Sequence, residues 1–324
     1  MAEPVGLAAM TVLGYGAANV GNLYSELSDE QAWEVLDAVW ESGVRYFDTA
    51  PHYGLGLSER RLGAFLRTKP RSDFVVSTKV GRLLVPQDNP HDAMDTEADF
   101  HVRADRRRQW DFSAAGIERS LEESLTRLGL DAVDVIYLHD PERYDLDRAL
   151  ETGLAGARAL RDAGMVRAIG VGSMSTPALE AAVAAGNIDL LMVAGRWTLL
   201  DRAGATLMDN CAERGIGVVL ASVLNSGLLA DTEIGPAARY EYGAVPPAIR
   251  RRHHELVALC GKYGIELPAA ALQFGRQHPA TRSVVVGTAR ADQFRADAKW
   301  FSAVIPDGFW AEIFAADAHL PRPF

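Results

Sequence analysis

The chain of 324 residues is 48% hydrophobic and 23% charged, enough apolar content to bury a large core, with no bias toward disorder. A formal net charge of −10 argues against a nucleic-acid partner, because phosphate binding needs a basic surface. Two cysteines, Cys211 and Cys260, are too few and too far apart for a disulfide framework or a zinc cluster, and they suit a reducing cytoplasm, the expected location.

The opening MAEPVGLAAM has no basic region ahead of an apolar stretch, so no signal peptide is expected, and no apolar run reaches bilayer length. A first strand is predicted near residues 9–14, then a helix over 29–42 with Ser28-Asp29 at its N-cap. Strand 44–48, helix 59–67 and strand 74–79 follow. Residues 81–111 show no clear period. A structureless loop of that length is uncommon unless functional, so a substrate loop or lid is expected there. Its basic run at 103–108, interrupted by Asp105, reads as a solvated loop. Beyond it, helices at 113–128, 150–163, 176–185, 203–214 and 247–263 alternate with strands at 133–139, 166–171, 188–193, 216–222 and 282–287. Gly43, Gly164, Gly186 and Gly215 each follow a helical stretch, where a C′ glycine belongs.

Such alternation implies parallel strands with helical crossovers, and about eight strands suit a closed (β/α)8 TIM barrel spanning 1–324 as a single domain. A doubly wound open sheet is the runner-up. The early pair in Gly14-Tyr15-Gly16 lacks a third glycine and a following helix, so no Rossmann domain is expected.

In a barrel of this kind, chemistry sits on the loops after the carboxyl ends of the strands. The second strand ends in Asp48-Thr49-Ala50-Pro51-His52-Tyr53-Gly54, the third in Ser77-Thr78-Lys79, and the fourth in Tyr137-Leu138-His139-Asp140-Pro141. Taken singly, Asp48 is a turn residue, Tyr53 a rim aromatic, Lys79 a solvated charge and His139 a core histidine. Together they form a proton-transfer set. A tyrosine titrates near ~10, and an ammonium about 4 Å away stabilises its phenolate by up to ~4 kcal/mol at a dielectric of about 20, or roughly three pKa units. Tyr53 is therefore expected below its ordinary value, by less than that limit because Asp48 shares and orients the lysine. His139 would hydrogen-bond the reacting oxygen. No metal is expected: His253 and His254 are adjacent and face different sides of a helix.

The segments DTAPHYGLGLSERRLG, VVSTKVGR and VDVIYLHDPE resemble the aldo-keto reductase superfamily, whose barrels bind NAD(P) without a Rossmann domain. The resemblance implies Tyr53 as proton donor or acceptor, Lys79 and Asp48 as its tuners, and His139 as the oxygen's partner. It also implies a cofactor site. Trp197 would lie against the nicotinamide, and Ser173 would hold the carboxamide without the usual asparagine, with Ala194 where a glutamine is common. Ser222, Leu224, Ser226, Gly227 and Leu228 would wrap the pyrophosphate. Gly287, Thr288, Arg290, Gln293 and Asp297 would receive the adenosine. An arginine at 290 suits a 2′-phosphate clamp, which favours NADP over NAD.

GRWTLLDR, LGYGAANVGNLY and DFSAAGIERSLEESLTRL are similar to the aldose dehydrogenases within that superfamily. The resemblance implies oxidation of a neutral aldose such as L-fucose, L-galactose or D-arabinose at C1 to the lactone. His52, Tyr53, His139, Arg196 and Trp197 would hold the sugar. The alternatives are pyridoxal, its ring stacked on Trp197, a general aldehyde or ketone reductase, and a regulatory barrel subunit that senses NADPH. A monomer or homodimer is expected, with no nucleic-acid or membrane partner.

Overall fold

The computed structural model describes residues 7–87, 93–236, 238–241 and 243–317. In chain order the strands are β1 (Leu13–Gly16), β2 (Tyr46–Asp48), β3 (Val75–Val80), β4 (Arg82–Pro86), β5 (Arg106–Trp110), β6 (Val135–His139), β7 (Ala168–Ser173), β8 (Leu190–Ala194), β9 (Gly217–Ala221), β10 (Arg239–Tyr240), β11 (Gly243–Ala244) and β12 (Thr281–Val286). The helices are α1 (Asp29–Glu41), α2 (Leu57–Leu66), α3 (Ala114–Leu128), the single turn α4 (Leu146–Arg148), α5 (Leu154–Asp162), α6 (Thr176–Ala185), α7 (Ala205–Arg214), α8 (Pro247–Tyr263), α9 (Leu267–Phe274), α10 (Ala291–Phe301) and α11 (Asp307–Asp317).

Eight strands pair in parallel and close on themselves in the order β1-β12-β9-β8-β7-β6-β3-β2. The fold is the expected (β/α)8 barrel. Strands covered on both faces read as near-continuous apolar runs, and β3 and β6 are buried along their whole length. Alternation sorts their side chains. Tyr46, Val75, Val135, Tyr137, Leu190 and Val219 fill the barrel interior, while Phe47, Val76, Ile136, Leu138 and Val218 meet the helices outside. The helices obey the matching rule: α1 buries Ala32, Val35, Leu36 and Val39, and Ser28 and Gln31 close a capping box at its start.

Three expectations need correction. The first strand begins at Leu13, not near residue 9, because Leu7, Ala9 and Met10 join the interior cluster with the strand-initial residues Val75, Val135 and Leu190. Helix α9 escaped notice because all eight of its residues are buried, so it has no polar face to betray a period. Residues 81–111 are not an irregular loop. β4 and β5 pair antiparallel from Arg82↔Trp110 to Pro86↔Arg106, and a two-stranded ribbon can turn one face to water: Arg107 and Gln109 take that exposed face, while Arg108 and Trp110 are half-buried on the other. Arg108 is not merely solvated: its guanidinium grips the Asp95 carboxylate at 2.5 and 2.7 Å. The part of this segment at 88–92 lies outside the described residues. Among the described residues no helix is long and apolar enough to cross a membrane.

Candidate active site

Parallel register sets Asp48 beside Ser77, and Lys79 projects from the same face of β3 two residues on. Asp48 therefore sits between them. Its Oδ1 accepts from Ser77 Oγ at 2.7 Å, and its Oδ2 lies 2.5 Å from Lys79 Nζ. The ammonium also donates to the Thr49 carbonyl at 3.1 Å and to the Tyr53 hydroxyl at 2.9 Å, so all three of its protons are used. His139 ends β6 and completes the mouth; its ring lies 6.0 Å from that of Tyr53 and 5.5 Å from that of His52. The four residues expected to act together are together.

The Tyr53 loop depends on Gly54, at φ +59, whose missing side chain lets the Gly21 carbonyl approach. A Cβ there would lie 2.1 Å from that oxygen. Gly54→Ala is expected to destabilise the fold by about 1–3 kcal/mol through strain and overpacking, and to lower turnover by displacing Tyr53. Urea denaturation and initial rates check both effects.

Electrostatics refine the roles. Burial alone would strip the proton from Lys79, but Asp48 and Tyr53 outweigh it and hold the ammonium well above the ordinary lysine value. Burial raises the Tyr53 phenol; Lys79 pulls it down, and Asp48 pushes it back up. The net direction is upward, which corrects the expected lowering: a phenolate in a dry mouth loses more hydration than one ammonium, shared with a carboxylate, restores. His139 and His52 are pushed well below the usual histidine range, first by burial and then by cationic neighbours, chiefly Arg82 and Arg108 respectively. Both imidazoles are neutral at physiological pH.

A cleft of about 430 Å³ runs from Asp48 and Tyr53 to the start of α10. Among the residues expected to bind cofactor, Ser222, Leu224, Ser226, Gly227, Gly287, Thr288, Gln293 and Asp297 line it. It suits a dinucleotide on three counts. The Asn225 Oδ1 on its wall is buried with no hydrogen-bond partner among the described residues. Ser222, Asn225, Ser226 and Gly227 all adopt positive φ, the backbone habit that turns amides toward anions. The start of α10, whose N-cap Arg290 makes no side-chain bond to the first turn, points the positive end of its dipole at this end of the cleft.

Other expected residues stand elsewhere. Trp197 is not among the residues that line the cleft; its indole is buried and packs on Phe274, 5.1 Å away. Arg196 is engaged by the Met174 carbonyl, Asp201 and Glu241, which leaves its guanidinium to brace the loop rather than hold a sugar. Ser173 spends its hydroxyl on Glu142 at 2.6 Å. Leu228 is buried, and its carbonyl is bonded to His253 Nε2 at 2.9 Å. Arg290 is exposed and ion-paired with Asp292. Among the described residues no set of His, Cys, Asp or Glu side chains is grouped as metal ligands.

Four residues without an expected role also stand here: Met174 and Asn225 on the cleft wall, and the paired Arg82 and Asp140 at the mouth. Asp140 lies in the VDVIYLHDPE segment, and Asn225 lies between the expected cofactor residues Leu224 and Ser226; both are polar residues just past strand ends. Arg82 closes the VVSTKVGR segment just past the third strand, but its place at the mouth depends on the β4–β5 hairpin, which has no clear period.

The sequence pattern of the Aldo/keto reductase family matches residues 12–318. The chain is 53% identical to D-threo-aldose 1-dehydrogenase of Pseudomonas sp, covering 99% of each, and 35% identical to pyridoxal 4-dehydrogenase of Microbacterium luteolum, covering 94% of this chain and 93% of that one. Among solved structures, the glycerol dehydrogenase of Gluconobacter oxydans shares the fold at a TM-score of 0.76 and 19% identity, over 99% of this chain and 96% of its own. With a parallel barrel, an Asp–Lys–Tyr–His mouth and a family match across nearly its whole length, the chain belongs to the aldo/keto reductase family.

Proposed function

We propose that the protein oxidises a neutral aldose of the L-fucose, L-galactose or D-arabinose type at C1 to the lactone, using a nicotinamide dinucleotide. The reading rests above all on the Tyr53–Lys79 contact of 2.9 Å beside neutral His139. It is supported by 53% identity to an enzyme named for acting on D-threo-aldoses. A bound oxidised nicotinamide supplies the hydride acceptor. Tyr53 takes the proton of the anomeric hydroxyl, and Lys79 stabilises the phenolate that receives it. His139, kept uncharged, hydrogen-bonds the same oxygen and sets the orientation of C1. Ser222, Leu224, Ser226 and Gly227 hold the pyrophosphate, and Gly287, Thr288, Gln293 and Asp297 hold the adenosine end. The chain acts as one barrel domain, with the paired strands β4 and β5 as the outer wall of the substrate side.

The preferred cofactor in this reading is NAD. Arg290 is already matched by Asp292, and Asp297, whose carboxyl burial pushes up to about 6, still carries a negative charge in the cleft at neutral pH. A 2′-phosphate would meet that charge, whereas a ribose hydroxyl can donate to it. Arg290→Ala should leave the ratio of kcat/KM for NAD and NADP unchanged, while Asp292→Asn should raise NADP use by about threefold to tenfold, as an unmatched guanidinium attracts phosphate. A selective loss of NADP activity in Arg290→Ala would make Arg290 the selector after all.

Pyridoxal is the less favoured substrate, because Trp197, the ring expected to stack on it, packs against Phe274. Initial rates with L-fucose, L-galactose, D-arabinose and pyridoxal at matched concentrations, with products identified by NMR, test the reading. Pyridoxal outrunning every sugar in kcat/KM, or a sugar product other than the lactone or its hydrolysed acid, would overturn it.

A further inference from the structure

At the mouth, an ion pair stands beside the residues already assigned. Arg82, the first residue of β4, is 4% exposed, and its NH2 group contacts Asp140 Oδ2. Its guanidinium lies 4.4 Å from the centre of the Trp110 ring, its cross-strand partner in the hairpin, and Trp110 in turn stacks on Phe112 and Tyr144. The arginine is thus fixed in place by packing as well as by charge. Asp140 directly follows His139 and adopts φ +43, with its amide held by the Gly172 carbonyl at 2.9 Å. That turn brings the carboxylate back toward the mouth, where Oδ2 lies 3.8 Å from His139 Nε2. Its side chain remains 20% exposed, so a ligand can reach it.

An aspartate beside a histidine would ordinarily favour the imidazolium. Here Arg82 offsets that carboxylate, and after burial it is the foremost influence keeping His139 uncharged. A negative acceptor can then stand next to the reacting centre without altering the imidazole. Polar side chains around it are ready for further hydrogen bonds: Arg82 Nε, His52 Nδ1 and His139 Nδ1 are buried with no partner among the described residues. Such atoms are costly to leave unmade, and polyhydroxylated substrates are able to meet them.

We propose that Asp140, positioned by Arg82, accepts a hydrogen bond from the hydroxyl on the carbon next to the one oxidised, and so makes this mouth selective for 2-hydroxylated aldoses. The proposal rests on the aldose reading above. Its basis is distance: the partly exposed Asp140 carboxylate lies 3.8 Å from the imidazole that holds the reacting oxygen, within reach of a hydroxyl on the adjoining carbon. Asp140 touches substrate; Arg82 acts through Asp140.

The test compares kcat/KM for L-fucose and 2-deoxy-L-fucose across variants, a comparison in which intrinsic differences in sugar reactivity cancel. In wild type, loss of the hydroxyl should lower kcat/KM by about tenfold to a hundredfold, the scale of a charge-assisted hydrogen bond. In Asp140→Ala the two sugars should converge, and Arg82→Gln should narrow the gap by loosening Asp140. Arg82→Lys, which keeps the charge, should restore part of it. Asp140→Asn keeps the shape and an oxygen for Arg82, so it carries the comparison if the alanine variant fails to fold; its gap should also narrow. A purely structural pair would slow both sugars equally. An unchanged gap in Asp140→Ala or Asp140→Asn together with Arg82→Gln would overturn the proposal. A wild type that oxidises no aldose at C1 would overturn the reading beneath it, which is a separate result.

Discussion

Tyr53→Phe should lower turnover by about 10²–10⁴-fold, the loss usual for a missing general acid or base, while the dissociation constant of the cofactor barely moves. The separation follows from geometry. The hydroxyl removed is the one bonded to Lys79 at 2.9 Å, and the cofactor residues lie farther along the cleft toward α10. Stopped-flow binding and steady-state rates distinguish the two effects. The wild-type pH profile should carry the same signature. Because burial raises the phenol above its ordinary value, the proton-accepting form is scarce at neutral pH, so oxidation should accelerate as pH rises into the alkaline range. Reduction, which needs the protonated form, should hold steady there and fall only at higher pH. With both histidines depressed below their usual range, neither should add an inflection between about pH 7 and 9, well above the ordinary ~6.5.

Lys79→Met should be the most damaging single change to stability. It leaves the Asp48 carboxylate, 3% exposed, without its ammonium. Breaking a buried pair in this way costs about 3–5 kcal/mol. The loss should depend on pH. Burial already raises the Asp48 pKa against the pull of Lys79, and without that pull the folded value rises further above the unfolded one. A carboxyl whose folded pKa is raised stabilises the fold below its unfolded pKa, and that contribution is lost as pH climbs through the folded value. Urea unfolding should therefore show a smaller deficit near pH 5 than near pH 8. The same variant should move the alkaline limb of oxidation to higher pH, since nothing then draws the Tyr53 phenol down. Equal deficits at both pH values would mean that Asp48 does not stay buried and charged.

How far this molecule can be read from its sequence depends on how local each signal is. Strand–helix alternation is local, and α6 and α8 fall on the residues their periodicity picks out. The Asp48, Tyr53, Lys79 and His139 set was legible because each member sits at or just past a strand end, where barrel topology alone brings it to the mouth. The direction of the Tyr53 shift was not. It depends on how completely the mouth is dried, a sum over the whole surround. The packing of Trp197 was not legible for a related reason: it depends on where α9 carries Phe274, and nothing in GRWTLL records that. Arg82 and Asp140 meet only because a hairpin inserted after β3 folds back over the end of β6, a tertiary event that leaves no period to read.

The most direct test of the account is the fate of hydrogen at C1. L-fucose carrying deuterium at C1 should show a slowed single-turnover step, and the deuterium should be recovered in the reduced nicotinamide, with fuconolactone or its acid free of label. Deuterium retained in the sugar product, or oxidation at any other carbon, would contradict it.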